Sequence, residues 1–146
     1  NNEIIQGLTK LRIEKLKETD NQLKEKIDFL FNNLQLVAEN KPPLVTFSKT
    51  MHFFLPNLFM PIDRKFTLPF FYRKAPFNPK NHVPFSKDHQ SQIQIFCDIF
   101  EQFRQFANKH RSSLETQINP NSRWNRNIPK IIDNIIIAYV INNTIK

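Results

Sequence analysis

A single glycine, Gly7, among 146 residues is the feature that most constrains how this chain can fold. Glycine is the default residue for backbone conformations with positive φ, and tight two-residue hairpins depend on such positions. A chain with one glycine cannot build many hairpins, which disfavours an all-β fold. It also cannot carry a glycine-rich phosphate loop or the glycine fingerprint of dinucleotide-binding proteins. The composition therefore favours a helical protein and excludes these two nucleotide-binding motifs.

Apolar residues recur at helical spacing along much of the chain, and prolines interrupt the pattern. The pattern predicts helices over residues 3–17, 23–40 and 44–55, a fourth that begins at Ser86 or Asp88, and a last one with Pro129 at its first position. The length is that of one ordinary domain. We therefore expect an all-α, single compact domain over residues 1–146, with five or six helices and a proline-rich basic loop at 73–87. The chain starts at Asn1 rather than at a methionine, which leaves room for residues upstream.

Cellular location, membrane contact and metal binding are each constrained by a few residues. One cysteine, Cys97, cannot form an intrachain disulfide, and it indicates a reducing, cytoplasmic environment. The longest apolar run, Ile135–Ile141, is far shorter than the roughly 20 residues that a membrane span needs, so we expect no membrane partner. None of the four histidines pairs with another histidine or the cysteine at metal-ligand spacing, so we expect no metal and no other cofactor.

The net charge of +8 is concentrated in one segment. Residues 41–87 carry eight basic side chains and one acidic side chain, a net charge of +7, whereas residues 1–40 carry −1 and residues 88–146 carry +2. A local excess of cations is typical of a surface that binds a polyanion. A solvated, lysine-rich loop is the alternative.

Cations and aromatic residues alternate in this basic segment, and Trp124 lies in a second, smaller cationic cluster. Cations contact phosphates, and aromatic rings stack on unpaired bases. We therefore predict a nucleic-acid-binding surface formed by Arg64, Lys65, Arg73, Lys74, Lys80, Lys87, Arg123, Trp124 and Arg126. The interleaved rings are those of Phe66, Phe70, Phe71, Tyr72, Phe77 and Phe85. Alternatively, these rings and Trp124 pack in the core, and the cations line its rim.

Lys49 and Asp63 are candidate catalytic residues at the two ends of the segment "KTMHFFLPNLFMPID". One continuous helix would separate them by about 21 Å, at about 1.5 Å per residue, but Pro56 and Pro61 predict a helix, a turn and a return. A lysine with a lowered pKa can act as a nucleophile, and an adjacent carboxylate can position it or act as a base. His52 shares the helix face of Lys49 and is a candidate to orient a ligand or shuttle a proton. The alternative is an exposed Lys49, a helix-capping Asp63 and a core His52.

The stretch "SKTMHFFLPNLFMPIDRKF" resembles the core of the helix-hairpin-helix DNA glycosylases. In that superfamily a lysine-threonine pair opens a helix after a glycine-rich hairpin, and a catalytic aspartate follows the helix in a short "V-D" stretch. Lys49 and Thr50 match the first element, and Ile62 and Asp63 match the second. The resemblance implies that Lys49 attacks the sugar C1′ and that Asp63 assists release of the base. The hairpin's glycines are replaced here by "AENKPPLVTFS".

The chain is also similar to a family of small, uncharacterised microbial proteins. These share an "SK-x-(M/L)-H-x-x-LP-x-L" segment, a following "P-x-DR-x-x-T-x-x-FF" segment, and a "K-x-IDN" segment before an aliphatic helix. The three segments correspond here to residues 48–58, 61–71 and 130–134. The similarity spans much of the chain, but it implies no function.

Together these features predict a nucleic-acid-binding helical protein that is a degenerate relative of the helix-hairpin-helix glycosylases, with its enzyme activity left open. The alternative is a helical protein-interaction or structural protein with no catalytic site, which would have a protein partner. A third option is an enzyme that acts on a small anionic substrate in the same cleft. A common open cleft for Lys49 and Asp63 would favour the first hypothesis, whereas buried hydrogen bonds or divergent directions would favour the second.

Overall fold

The computed structural model describes residues 2–18, 21–34, 36, 43–78, 80, 83 and 88–145. This part of the chain contains seven α-helices and no strand, so the predicted all-α fold is confirmed. The helices are α1 (Asn2–Leu8), α2 (Asn21–Asn33), α3 (Leu44–Phe54), α4 (Thr67–Tyr72), α5 (His89–Lys109), α6 (Arg111–Glu115) and α7 (Ile128–Asn142). A single 3-10 turn, Ile13–Lys15, follows α1.

No described residue adopts a positive φ angle, and Gly7 is no exception. The two longest helices instead begin with side-chain caps. Asp88 accepts a hydrogen bond from the backbone N–H of Ser91 at the start of α5, and Asn127 accepts one from Lys130 at the start of α7. Such caps satisfy backbone donors that a helix leaves unpaired. At their C-terminal ends, where glycine is common, His110 and Asn143 have φ angles of −109° and −110°, so neither helix end requires glycine.

Helix α5 is the central element of the core. It packs against the 3-10 turn and against α2, α3, α6 and α7. Its buried face carries three phenylalanines one helical turn apart, Phe96, Phe100 and Phe103, as the helical spacing predicts. The other buried apolar residues of the described chain join the same cluster. One core therefore positions every helix.

Phe96 occupies the middle of this core. Its ring centroid lies 5.1 Å from that of Phe47 and 5.8 Å from that of Phe59, and 6.4 Å from those of both Phe31 and Phe100. These five rings come from α2, α3, the segment after α3, and α5. Centroid separations of about 4.5–7 Å are favourable for aromatic pairs. The cluster therefore joins α3, which carries the candidate site, to the centre of the protein.

The prediction of one helix over residues 3–17 is wrong beyond Leu8. The backbone N–H of Ile13 donates to the carbonyl of Asn57 at 3.0 Å, a partner far away in the chain. On α5, Arg104 donates to the carbonyls of Leu16 and Lys17, and the Asn108 amide also binds the Leu16 carbonyl. These tertiary hydrogen bonds replace helical ones, while Leu8 and Ile13 still bury their side chains.

Two other boundaries differ from the prediction. Helix α2 ends at Asn33 rather than near Asn40, and residues 35 and 37–42 lie outside the described residues. The side-chain amides of Asn32 and Asn33 donate to the carbonyls four residues earlier, a local competition that favours a helix end. The short helix α6 has no counterpart among the helices that the sequence pattern predicts.

Replacing Phe96 by alanine should destabilise the fold by about 3–5 kcal/mol, because the substitution leaves a cavity among four other rings. Phe53→Ala is the matched control, since the Phe53 side chain is 79% exposed. Its removal should change the free energy of unfolding by no more than about 0.5 kcal/mol. Urea unfolding of both variants measures the difference. Equal effects of the two substitutions would contradict this account of the core.

Candidate functional site

Cationic side chains from distant parts of the sequence converge on one cleft, of about 510 Å³. Its walls are formed by α3, by two prolines of the following segment, and by the region where α7 begins. The lining residues are Lys49, His52, Phe53, Pro56, Pro61, Arg123, Arg126, Asn127 and Lys130. We call it the cationic cleft. Two candidate catalytic residues and two candidate nucleic-acid contacts are thus brought together in one place.

A buried serine holds the two halves of the predicted catalytic segment together. Ser48 is fully buried, and its hydroxyl accepts a hydrogen bond from the backbone N–H of Ile62 at 2.9 Å. Ser48 immediately precedes Lys49, and Ile62 immediately precedes Asp63. The chain therefore does turn and return as Pro56 and Pro61 predict. The hydrogen bond sets the backbone of residue 63 alongside the helix that carries Lys49.

The side chain of Asp63 is engaged by its own turn. Its Oδ1 accepts hydrogen bonds from the backbone N–H groups of Lys65 at 2.8 Å and Phe66 at 2.6 Å, and its own N–H donates to the Thr67 hydroxyl. Lys49 is exposed and lines the cationic cleft, but Asp63 is not among the lining residues. Asp63 thus stabilises the turn before α4, and the exposed position of Lys49 is compatible with both hypotheses for the lysine.

His52 is held in one tautomer. Its Nδ1 lies 2.6 Å from the carbonyl oxygen of Phe59. A carbonyl oxygen only accepts, so Nδ1 carries a proton and donates it. Burial lowers the pKa of His52 from its ordinary value, and the nearby Lys130 cation acts in the same direction, against the Phe59 carbonyl and Asp133. At neutral pH the ring is therefore neutral, and Nε2 is an unprotonated acceptor with no partner among the described residues.

Asp133 forms an ion pair with one lining residue of the cationic cleft. It is buried on α7, and its Oδ2 accepts a hydrogen bond from Lys130 Nζ at 2.6 Å. Burial raises the pKa of Asp133, and the charge of Asp63 raises it further, whereas the Lys130 hydrogen bond lowers it. Asp133 therefore compensates the charge of Lys130.

The second cationic cluster lies just before α7. The Arg123 guanidinium carbon sits 4.5 Å from the centroid of the Trp124 ring, within the range of a cation–π contact. Trp124 is 55% exposed, so it does not fill the core. The side-chain amide of Asn134 donates to the Trp124 carbonyl at 2.6 Å and anchors this segment on α7. Arg123 and Trp124 are thus presented at the edge of the cleft by a fixed backbone.

The remaining predicted contacts lie elsewhere on the surface. The cations Arg64, Lys65, Arg73, Lys74 and Lys80 are exposed, and none of them lines the cationic cleft. Lys87 lies outside the described residues, as does Phe85. The other predicted stacking residues are partly buried against the core (Phe66, Phe70, Phe71), buried (Phe77) or exposed (Tyr72). For the first four rings the packing alternative is the one that the structure shows.

Sequence reasoning missed Phe53, Asn127 and Lys130, which line the cleft, and Asp133, which is paired with Lys130. Phe53 lines the cleft with most of its ring exposed, although its sequence neighbours suggest a core helix. Lys130 and Asp133 belong to the "K-x-IDN" segment, which was noted for its similarity alone. That segment was therefore the available signal.

Among the described residues, no three histidine, cysteine or acidic side chains come together as a metal would require. None of the described helices combines the length and apolar character needed to cross a bilayer.

The depressed pKa of His52 predicts a contribution to acid sensitivity. The unfolded chain takes up a proton near pH 6.5, whereas the folded ring resists it, so the stability held above that pH is lost as the pH falls further. His52→Asn places an amide donor near the position of Nδ1 and cannot titrate. Between about pH 7.5 and about pH 5.5 the wild type should lose more stability than this variant in urea unfolding. Asp133 is present in both proteins, so identical pH dependences would contradict the assignment of a neutral His52.

Comparison with known proteins leaves the resemblances of the sequence as expectations. No family model, curated protein or solved structure matches this chain.

Proposed function

We propose that this protein binds nucleic acid, with the cationic cleft as the centre of its binding surface. The observation that carries the proposal is the convergence of Lys49, Arg123, Arg126 and Lys130 on one cleft beside the neutral His52. Lys130 is paired with Asp133, but the charges of Lys49, Arg123 and Arg126 repel one another unless an anion lies between them. Phosphates are the anions that arginine and lysine recognise most readily in this arrangement.

Exposed rings beside the cleft favour a nucleic acid over a simple anion. Phe53 lines the cleft, and Trp124 lies next to it under the Arg123 guanidinium. Stacking of an unpaired base on such a ring contributes about 1–3 kcal/mol. Cations that contact phosphates beside rings that stack on bases are the usual pattern of single-strand binding sites. The exposed cations of residues 64–80 supply further phosphate contacts along the strand.

Binding through phosphates predicts a strong dependence on salt. A fluorescent single-stranded oligonucleotide of about 12 nucleotides should bind far more weakly at about 200 mM salt than at about 50 mM salt. Arg123→Gln combined with Arg126→Gln should weaken binding and lower the salt slope by about 0.7 for each lost phosphate contact. Fluorescence anisotropy at several salt concentrations measures both quantities.

The matched control removes two cations that do not line the cationic cleft. Lys10→Gln combined with Lys109→Gln changes the net charge by the same amount, and both lysines are exposed. This control should retain most of the affinity, whereas a general electrostatic effect would weaken both variants equally. The rival hypothesis, a protein-interaction module without a nucleic-acid ligand, predicts no binding by the wild type even at low salt. That result would overturn the proposal.

A second candidate function is lyase chemistry at Lys49, related to that of the helix-hairpin-helix DNA glycosylases. The observation that favours it is the Ser48–Ile62 hydrogen bond, which sets the Asp63 segment beside the helix whose Lys49 lines the cleft. In such chemistry the neutral amine adds to C1′ of an abasic sugar and loses water to form an imine. The Asp63 carboxylate is already held by two backbone N–H groups, so binding without chemistry is the simpler function of this site.

The lyase candidate predicts a covalent adduct. With an abasic-site duplex and borohydride, which reduces the imine, the wild type should be trapped and Lys49→Arg should not. Arginine retains the positive charge and hence the binding, but it does not form this imine. Saturating binding without an adduct would leave the nucleic-acid-binding function and remove the catalytic one.

A further inference from the structure

The cationic charge of the cleft exceeds what its acidic neighbours compensate. Lys130 is paired with Asp133, but Lys49, Arg123 and Arg126 form no ion pair within the part of the chain that the structure describes. Arg123 contacts the Trp124 ring instead. Three uncompensated cations therefore face a single cleft, and His52 adds no charge because its ring stays neutral.

The volume of the cleft limits what can sit among these three cations. About 510 Å³ lies in the range of pockets that take one small ligand, about 300–1,000 Å³. Proteins that bind the backbone of an internal strand use long grooves that follow about 4–16 nucleotides. The concentration of cations in one compact cleft fits one nucleotide unit better than a run of them.

The charge of a phosphate group depends on whether it lies within a strand or at its end. A phosphodiester within a strand carries one negative charge. A phosphate monoester carries about −1.5 to −2 at pH 7 and presents three acceptor oxygens. Arginine binds such a group through two parallel N–H donors, and lysine binds it as a point charge. The three positive charges of Lys49, Arg123 and Arg126 are therefore offset more fully by a monoester than by a diester, and each side chain can contact one of its three oxygens.

We propose that the cationic cleft binds the terminal phosphate of a nucleic-acid strand, with Lys49, Arg123 and Arg126 as its ligands and Phe53 beside the terminal base. The proposal rests on the nucleic-acid binding proposed above and specifies which part of the strand enters the cleft. The neutral Nε2 of His52 is the acceptor available there for a hydroxyl or amino group of the terminal nucleotide. The free monophosphate of a nucleoside shares this chemistry.

The test compares one oligonucleotide sequence of about 12 nucleotides in three forms: with a 5′-phosphate, with a 3′-phosphate and with hydroxyl groups at both ends. A dye on an internal base reports binding by anisotropy. The wild type should bind one phosphorylated form about tenfold or more tightly than the hydroxyl form, as one added charge-assisted contact would give. Adenosine monophosphate as a competitor shows whether the free nucleotide suffices or the strand is required.

Two variants link the preference to the cleft. Arg126→Gln should abolish the preference for the phosphorylated end, so that the variant binds the phosphorylated and hydroxyl forms with equal affinity. Lys109→Gln, which removes an exposed cation that does not line the cleft, should leave the preference unchanged. Equal affinity of the wild type for all three forms would overturn this inference while the proposed nucleic-acid binding stands. Failure to bind any of them at low salt would overturn both.

Discussion

Burial of phenylalanine rings around α5 is the constraint on which the rest of this structure depends. Five rings from four segments meet at Phe96, and this contact holds α3 against α5. The outward face of α3 then carries Lys49, His52 and Phe53, while its inward face carries Phe47 and Met51. The site is therefore built on the outer surface of a helix whose inner surface is fixed by packing.

Polar contacts complete the site where packing ends. The buried Ser48 hydroxyl accepts a hydrogen bond from the backbone N–H of Ile62. Removal of the hydroxyl would leave this N–H without its partner. An unsatisfied buried donor costs about 1–3 kcal/mol. On the other wall of the cleft, Asn127 caps α7 and the Asn134 amide donates to the Trp124 carbonyl. Short polar side chains thus set the positions of the long cationic ones.

The helical class of this fold could be predicted from the scarcity of glycine and the spacing of apolar residues, because both act locally. The end of α1 could not, because Ile13 exchanges a helical hydrogen bond for one with Asn57. The same limit applies to the site. The sequence predicts two separate groups of site residues, Lys49 with His52 and Arg123 with Arg126. Only the folded chain brings both groups to one cleft, where Lys130 also lies. The rings of Phe66, Phe70, Phe71 and Phe77 pack against the core, as the alternative to base stacking predicts.

The fold brings like charges together in the cleft, and their mutual repulsion affects how the cleft binds an anion. Burial keeps His52 uncharged, and Asp133 neutralises Lys130, so the protein limits the repulsion that its own cations create. The repulsion among Lys49, Arg123 and Arg126 remains, and it can be relieved by an anion from outside. An anion that binds the folded protein and not the unfolded chain stabilises the fold in proportion to the logarithm of its concentration. Under the proposed binding, relief of this repulsion favours the bound state, and the same three side chains link the stability of the fold to the occupancy of the cleft.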